Sequence, residues 1–274
     1  MAERVLITGA ASGIGAATAA ELRGRGAEVV GLDLNAGGDV AACDVTDQAS
    51  VAACDVTDQA SVDAAVAAAV EKLGGLDALV NCAGIGIPQS AAQRPDADAA
   101  RVLDVNLLGT WRVTAAALPA LRESRGRVVN ISSGLAYLAV PFASAYGASK
   151  RGVVGYSDQL RSEVGDEVTV TTVYPGYVRT PIHDAGKALG VQLEGMVPPE
   201  PVGAVVATIV RALYGKPARD LATTRRGTVS YAALRLLPKS VVEKAIRRQV
   251  EKAARRGRFG ESPMTADLLE RVGR

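Results

Sequence analysis

The chain has 274 residues, of which 48% are hydrophobic and 22% charged, and this composition excludes a disordered, collagen-like or coiled-coil protein. Its length suits one large α/β domain, and its formal net charge of +2 gives no reason to expect a nucleic-acid partner. The three cysteines lack the spacing of a metal site or a disulfide framework. We therefore expect a protein of a reducing compartment, the cytoplasm, with no metal site.

Short β-rich segments alternate along the chain with alanine-rich segments long enough to form crossover helices. The predicted strands are residues 5–8, 29–33, 78–81, 128–132 and 168–174. This alternation predicts an α/β fold, with a Rossmann-type doubly wound parallel sheet in a single domain. In such a sheet ligands bind beyond the carboxyl ends of the strands, so each strand end is a candidate site.

The sequence VAACDVTDQAS occurs twice in tandem, at residues 40–50 and again at 51–61. Two identical copies do not make a repeat protein, which needs several diverged units, so only one copy is expected to supply the third strand. We favour the second copy, because it leads directly into a helix predicted over residues 62–73. Gly37 and Gly38 would let the first copy loop out.

The first predicted strand runs into a glycine-rich turn, Gly9-Ala10-Ala11-Ser12-Gly13-Ile14-Gly15, and then into a helix. Glycines let the backbone approach a pyrophosphate, and the helix N-terminus offers free N–H groups and partial positive charge. The spacing differs from the common G-x-G-x-x-G fingerprint. Asp33 ends the second strand about 20 residues later, where a carboxylate can bind an adenosine ribose and would repel a 2′-phosphate. We therefore predict NAD rather than NADP as the cofactor.

Tyr146 and Lys150 are four residues apart on a predicted helix, so they share one face. The pKa of a phenol, about 10, must fall by roughly three units for the group to act as a base near neutrality, which requires about 4 kcal/mol. The neighbouring ammonium and the positive ring of an oxidised nicotinamide can supply that stabilisation. Because Y-x-x-x-K is common in surface helices, this prediction depends on the motifs around it.

Together these motifs resemble the compact subgroup of the short-chain dehydrogenase/reductase family, over residues 3 to about 215. The matching elements, in the family's order, are T-G-x-x-x-G-I-G at Thr8–Gly15, the pair Asp55-Val56, N-x-A-G at Asn81–Gly84, Asn106, Ser133 with Tyr146 and Lys150, and Pro175-Gly176 leading to Thr180. Cys82 departs from the pattern, because the family usually has a second asparagine there. The duplication leaves open whether Asp44 or Asp55 meets the adenine.

The resemblance implies an NAD-dependent enzyme that transfers a hydride between nicotinamide and a substrate carbon, with Tyr146 as the acid/base. Lys150 would lower the pKa of Tyr146 and bind the nicotinamide ribose, and Ser133 would hold the substrate oxygen. Asn106 would anchor a water that links Lys150 to solvent. Cofactor contacts are implied for Gly9, Ser12, Gly13, Ile14, Gly15, Asp33, Asp55, Val56, Asn81, Ala83, Gly84, Tyr146, Lys150, Pro175, Val178 and Thr180.

Substrate choice is expected to depend on residues 135–142 and on a glycine- and proline-containing segment, 181–201, which is predicted to be a mobile lid. Apolar side chains in and near these segments predict a cavity for a hydrophobic secondary alcohol or ketone. They are Leu135, Tyr137, Leu138, Val140, Phe142, Tyr177 and Met196. The only histidine, His183, could contact the substrate, but a lone loop histidine is more often a solvated bystander.

The end of the chain differs in charge from the rest. Residues 1–210 carry 15 basic and 23 acidic side chains, whereas residues 211–274 carry 16 and 6. We therefore divide the chain into a catalytic domain, 1–215, and a basic C-terminal extension, 216–274. A helix predicted from Ser240 has apolar residues at Val242, Ile246 and Val250. We favour a helix that docks on the net-negative body or a neighbouring subunit, or that presents a solvated face, over one that lies on an anionic membrane surface.

The family resemblance also implies a homo-oligomer and leaves two other functions open. One is a 3-oxoacyl carrier-protein reductase, which Asp33 disfavours because such enzymes usually take NADPH. The other is an NAD-sensing module without turnover. Such a module would need only the cofactor half of the site, so the presence of Ser133, Tyr146, Lys150 and Asn106 counts against it.

Overall fold

A parallel sheet of seven strands, in the order β3-β2-β1-β4-β5-β6-β7, forms the centre of the molecule. The computed structural model describes residues 4–35, 51–189, 199–223, 239–257, 259 and 265–273. The strands are β1 (Arg4–Thr8), β2 (Glu28–Asp33), β3 (Val51–Ala53), β4 (Ala78–Asn81), β5 (Arg127–Ile131), β6 (Thr169–Tyr174) and β7 (Asp220–Ala222). The predicted Rossmann-type doubly wound sheet is thereby confirmed.

Helices cover both faces of this sheet. In the described part of the chain they are α1 (Gly13–Gly24), α2 (Gln59–Leu73), α3 (Ala97–Leu103), α4 (Thr110–Ser124), α5 (Ser144–Val164), α6 (Asp184–Ala188), α7 (Val202–Tyr214), α8 (Lys239–Arg255) and α9 (Ala266–Gly273). Successive strand side chains point to opposite faces: Leu6 packs in the core beneath α2 and α4, while Val5 and Ile7 pack beneath α1 and α7. Both faces are buried, which explains why the strands are apolar throughout.

The second copy of the duplicated segment supplies the third strand, as predicted. Val51–Ala53 pairs in parallel with the end of β2. The helix that follows, α2, begins after Asp58, whose carboxylate accepts the N–H of Ala60 and so caps the helix. The first copy lies outside the described residues, so its looping out stays a prediction.

The sheet extends past the boundary that we predicted at residue 215. Strand β7 lies beside β6, and the Tyr174 hydroxyl donates a hydrogen bond to the Asp220 carboxylate there. A strand of three residues that begins with an aspartate has no recognisable alternation, which is why the sequence did not indicate it.

The basic helix α8 packs on the protein body. Its buried residues Val250, Ala253 and Ala254 form a cluster with Phe142, Phe259 and Leu268. The side chain of Val242 lies outside the described residues. Within the part of the chain that the structure describes, no helix is both long enough and apolar enough to cross a membrane.

Candidate active site

A cavity of about 500 Å³ lies at the carboxyl ends of the strands, where the chain leaves the neighbouring strands β1 and β4 toward helices on opposite faces of the sheet. Almost every residue predicted from sequence for catalysis or cofactor binding lines this cavity. They are Gly9, Ser12, Gly13, Ile14, Gly15, Asp33, Asp55, Val56, Ala83, Gly84, Ser133, Tyr146, Lys150, Pro175, Val178 and Thr180. The two exceptions are Asn81 and Asn106.

The glycine turn forms one wall, and its geometry requires glycine. The φ angle of Gly9 is +68°, and a Cβ added there would lie 2.8 Å from the backbone nitrogen of Ala83. A Cβ on Gly15 would overlap the carbonyl oxygen of Gly9. Ser12 precedes α1 in an extended conformation, and its side chain does not cap the helix. The first amides of α1 therefore suit an anionic group such as a pyrophosphate.

Asp33 closes the far end of the glycine turn. Its carboxylate accepts the N–H of Ala11 at 3.0 Å and that of Asn35 at 3.1 Å. Each carboxylate oxygen can accept more than one hydrogen bond, so acceptor positions remain for ribose hydroxyls. The two hydrogen bonds tie the end of β2 to the turn and set the position of the carboxylate at the cavity wall.

Asp55 lines the cavity beside a cation that the sequence analysis did not select. The pKa of Asp55 lies below its ordinary value, chiefly because the hydroxyl and backbone N–H of Thr57 donate to its carboxylate. The positive charges of Arg101 and Arg112 lower this pKa further. Arg101, on α3, also lines the cavity. No local motif marked it, because α3 reaches the cavity only through the packing of the fold.

Tyr146 and Lys150 both face the cavity from the first two turns of α5, as their spacing predicts. The Lys150 ammonium lies 5.8 Å from the centre of the Tyr146 ring. Burial raises the pKa of Tyr146, and a hydrogen bond with the Ser133 side chain acts in the opposite direction. The side chains of this chain therefore do not produce the lowered pKa that the sequence analysis attributed to Lys150.

Lys150 is buried as well. Its side chain is 4% exposed, and the ammonium donates a hydrogen bond to the Ile131 carbonyl oxygen at 2.9 Å. Burial lowers the pKa of Lys150 to about 8. Burial also raises the pKa of the neighbouring Cys82 thiol to about 12, so Cys82 contributes no thiolate near neutrality. The ammonium is thus itself held at an energetic cost.

Asn106 lies beneath the cavity floor, in a π-helical turn, Asp104–Gly109, between α3 and α4. Its amide donates to the Ile85 carbonyl and to the Ser149 hydroxyl, each at 3.0 Å, and its oxygen accepts the Ile85 N–H at 2.8 Å. Asn106 therefore fastens the segment after β4 to helix α5. A Cβ on Gly84 would lie 3.2 Å from the Asn106 oxygen and 3.4 Å from the Lys150 nitrogen. The predicted role of Asn106, to anchor a water that links Lys150 to solvent, stays a prediction.

Asn81 is not among the residues that line the cavity, and its contact with a cofactor stays a prediction. Its amide donates to the Thr114 hydroxyl at 2.9 Å and to the Asn130 side-chain oxygen at 2.8 Å. Leu79 and Asn81 are two residues apart on β4, so both side chains point toward the layer that contains α4. The N-x-A-G motif does not reveal which of its side chains points inward.

The substrate side of the cavity agrees with the prediction in part. Leu135, Leu138, Val140 and Tyr177 line it. Tyr137 and Phe142 do not: Tyr137 packs 5.5 Å from the Tyr174 ring, and Phe142 packs edge-on against Phe259. Alternate side chains of a short irregular loop turn away from the cavity, and sequence alone does not show which ones. Met196 lies outside the described residues.

His183 is not a solvated bystander. It is half-buried and lines the cavity, with its Nε2 atom 3.0 Å from the Val178 carbonyl oxygen and its ring 4.7 Å from that of Tyr177. The 3₁₀ turn Pro181–His183 and α6 form the described beginning of the segment that was predicted to be a lid. No observation tests whether this segment is mobile, so that property stays a prediction.

A wall of the cavity that the sequence analysis did not foresee comes from α8. Ile246, Gln249 and Val250 all line the cavity. The four-residue spacing of apolar residues on this helix was visible in the sequence. This spacing predicts that one face of the helix is buried, but it does not show which part of the protein covers that face.

Comparison with known proteins identifies the family. The family described as short chain dehydrogenase matches residues 3–188, more than half of the chain. The chain belongs to the short-chain dehydrogenase/reductase family. Members of this family are oxidoreductases that act on hydroxyl and keto groups with nicotinamide cofactors. The glycine turn, in which a Cβ on Gly9 or Gly15 would clash with the backbone, the open N-terminus of α1 and the carboxylate of Asp33 fit such a cofactor.

Several curated proteins are similar to parts of this short-chain dehydrogenase. The 3-amino-tetrahydro-pyrrolizinone reductase of Xenorhabdus hominickii is 42% identical over 107 residues, which cover 39% of this chain and 37% of that protein. Short-chain reductase protein NovJ of Streptomyces niveus is 38% identical over a match that covers 65% of this chain and 70% of that protein. The trans-4-hydroxycyclohexanecarboxylate dehydrogenase of Sinomonas cyclohexanicum is 37% identical over a match that covers 66% of this chain and 75% of that protein. The chain thus spans little over a third of the first relative's length.

A solved structure supports the same assignment. The 3-ketoacyl-(acyl-carrier-protein) reductase of Brucella melitensis, complexed with NADH, superposes with a TM-score of 0.68 at 28% identity. The superposition covers 81% of this chain and 97% of that one.

Proposed function

We propose that this short-chain dehydrogenase interconverts hydrophobic secondary alcohols and ketones with NAD(H) as its cofactor. The observation that carries the proposal is the position of Tyr146. Ser133 acts on its hydroxyl and opposes the effect of burial on its pKa, the buried Lys150 ammonium lies 5.8 Å from the centre of its ring, and all three residues face a cavity that the glycine turn also lines. An acid/base group, a group to hold the substrate oxygen and a cofactor cradle thus meet in one space.

The cofactor, when bound, supplies the hydride acceptor or donor and, in its oxidised form, a positive ring. The residues of the chain position the substrate and move the proton. Tyr146 takes the hydroxyl proton of an alcohol during oxidation and returns a proton to the carbonyl oxygen during reduction. Ser133 donates a hydrogen bond to the same oxygen, and Lys150 keeps a positive charge beside the Tyr146 phenolate. Asn106 holds the backbone on which this arrangement depends.

The preference for NAD over NADP rests on Asp33. The carboxylate at the end of β2 would accept hydrogen bonds from the ribose and repel a 2′-phosphate. The adjoining exposed residues, Leu34 and Asn35, offer no positive charge. Arg101 lies elsewhere on the cavity wall, where it lowers the pKa of Asp55.

The substrate class rests on the lining of the cavity. Leu135, Leu138, Val140 and Ile182 are apolar, and His183 has its Nε2 within hydrogen-bonding distance of a carbonyl group of the chain. This lining favours a hydrophobic secondary alcohol over a charged sugar. A similar protein is named for trans-4-hydroxycyclohexanecarboxylate, a secondary alcohol on a cyclohexane ring that also carries a carboxylate.

The test is a screen of NAD reduction with hydrophobic secondary alcohols, steroids included, followed by Tyr146→Phe. We expect this variant to lose at least a hundredfold in kcat, because the acid/base group is gone, and to bind NADH within about threefold of wild type. Tyr156→Phe is the matched control, because Tyr156 is on the same helix but does not line the cavity. Full activity in Tyr146→Phe would remove Tyr146 from the acid/base role.

A 3-oxoacyl carrier-protein reductase is the second candidate, because the similar solved structure carries that activity in its name. The screen should therefore include a 3-oxoacyl thioester with NADH and with NADPH. Preference for the thioester would favour this candidate, and preference for simple alcohols and ketones would favour the first.

We further propose that the protein is a homo-oligomer of the cytoplasm. Leu103, Leu108 and Trp111 are large apolar residues left exposed near the start of α4, and Trp111 stacks on Tyr156 of α5. A second copy of the chain would cover this patch. Light scattering after size-exclusion chromatography should show a multimer for wild type and a smaller species for Trp111→Glu; a monomeric wild type would contradict the proposal.

A further inference from the structure

Helix α8 closes the cavity from a part of the chain that lies beyond the family match at residues 3–188. Ile246 and Val250 are one turn apart and both line the cavity. Val250 is almost fully buried, and Ile246 packs beside it. Gln249 also lines the cavity and is exposed, so it lies where the cavity opens.

Contacts on its buried side hold α8 at this place. Phe142 lies at the end of the segment that carries the cavity residues Leu138 and Val140, and its ring packs 5.7 Å from that of Phe259, edge to face. Val250 and Ile246 belong to the same apolar cluster. Helix α8 therefore meets the cavity next to the substrate segment.

The basic side chains that the structure describes on the middle and end of α8 point to solvent. Lys244, Arg247, Arg248, Lys252 and Arg255 are all exposed. The face that α8 turns to the cavity is apolar, apart from Gln249 at the opening. Its contribution to the cavity is therefore apolar contact area and not charge.

We propose that α8 is a specificity-determining cap: Ile246 and Val250 contact the part of the substrate remote from the reacting carbon, and Gln249 forms the rim of the opening. This inference rests on the proposed function and adds to it the residues that select substrate size. It places those residues in the C-terminal extension, in addition to residues 135–142 and 181–201.

The cap is tested by changing the volume at residue 246. Ile246→Trp should reduce kcat/KM for a bulky bicyclic ketone about tenfold or more, while cyclohexanone is affected less than about threefold. Ile246→Ala should have the opposite effect and raise kcat/KM for the bicyclic ketone relative to that for cyclohexanone. Val241→Trp is the matched control, because Val241 is on the same helix, 58% exposed and absent from the cavity wall. A purely structural effect would lower kcat/KM by the same factor for both ketones, and that result would overturn the proposal.

A binding measurement separates this inference from the proposed function. The fluorescent ketone 6-propionyl-2-dimethylaminonaphthalene shifts its emission to the blue in apolar surroundings and reports occupancy without turnover. If wild type turns over no alcohol or ketone, the proposed function fails, and the probe still decides the role of α8. Weaker probe binding in Ile246→Trp, with wild-type binding in Val241→Trp and unchanged NADH binding in both, supports the cap. Equal probe binding in wild type and both variants overturns it.

Discussion

Replacing Lys150 with methionine is expected to make the folded chain more stable near neutral pH while it destroys activity. The Lys150 side chain is 4% exposed, and burial lowers the pKa of its ammonium from 10.5 to about 8. Methionine is of similar length and carries no charge. The substitution therefore removes the cost of holding a charge in this place.

The magnitude follows from the two pKa values. The difference between 10.5 and about 8 corresponds to roughly 3 kcal/mol, and it acts against the folded state near pH 7, where both states bind the proton. Methionine also loses the hydrogen bond to the Ile131 carbonyl, which costs about 1 kcal/mol. The expected net gain is about 2 kcal/mol in the free energy of unfolding.

The sign of the pH dependence is also determined. Above about pH 8 the folded state releases the proton, whereas the unfolded state keeps it up to about pH 10.5. The cost in wild type therefore fades as the pH rises. The stability difference between Lys150→Met and wild type should shrink by roughly 2 kcal/mol between about pH 7 and pH 10.

Urea unfolding followed by circular dichroism, at both pH values and one protein concentration, measures these free energies. Lys72→Met is the matched control, because it removes an exposed ammonium from α2 and leaves the core unchanged. If Lys150→Met is less stable than wild type near neutrality, or if the difference fails to narrow at the higher pH, the reasoning about a costly buried ammonium is refuted.

Three further predictions concern the cofactor and the surface. Gly15→Ala should weaken NADH binding at least about tenfold by fluorescence titration, because its Cβ would overlap the Gly9 carbonyl; Gly24→Ala, with open space around it, should bind normally, and equal binding in both would contradict the steric argument. Asp33→Ala combined with Leu34→Arg should shift the kcat/KM ratio towards NADPH by about tenfold or more, and an unchanged ratio would remove Asp33 from cofactor choice. Wild type should not sediment with anionic vesicles in about 0.5 M salt, because the apolar side of α8 is buried in the protein; sedimentation that persists would show that α8 inserts into lipid.

The correct and incorrect site predictions differ in a physical way. Tyr146 and Lys150 were predictable because a spacing of four residues on a helix places two side chains on one face regardless of the rest of the fold. The direction of the Asn81 side chain was not predictable, because a strand points alternate side chains to opposite faces and the motif does not state which face meets the cavity. The raised pKa of Tyr146 was not predictable either, since it comes from burial of the phenol, which the sequence does not show.

The sequence by itself determined the parallel sheet apart from β7, the glycine turn, the carboxylate at the end of β2 and the tyrosine–lysine pair. Each of these depends on residues close together in the chain, where local geometry leaves few choices. Only the tertiary structure decided that Arg101 and α8 complete the cavity walls, and that Tyr137 and Phe142 point away from it. These positions depend on contacts between distant segments, such as Phe142 with Phe259, whose partners no local pattern specifies.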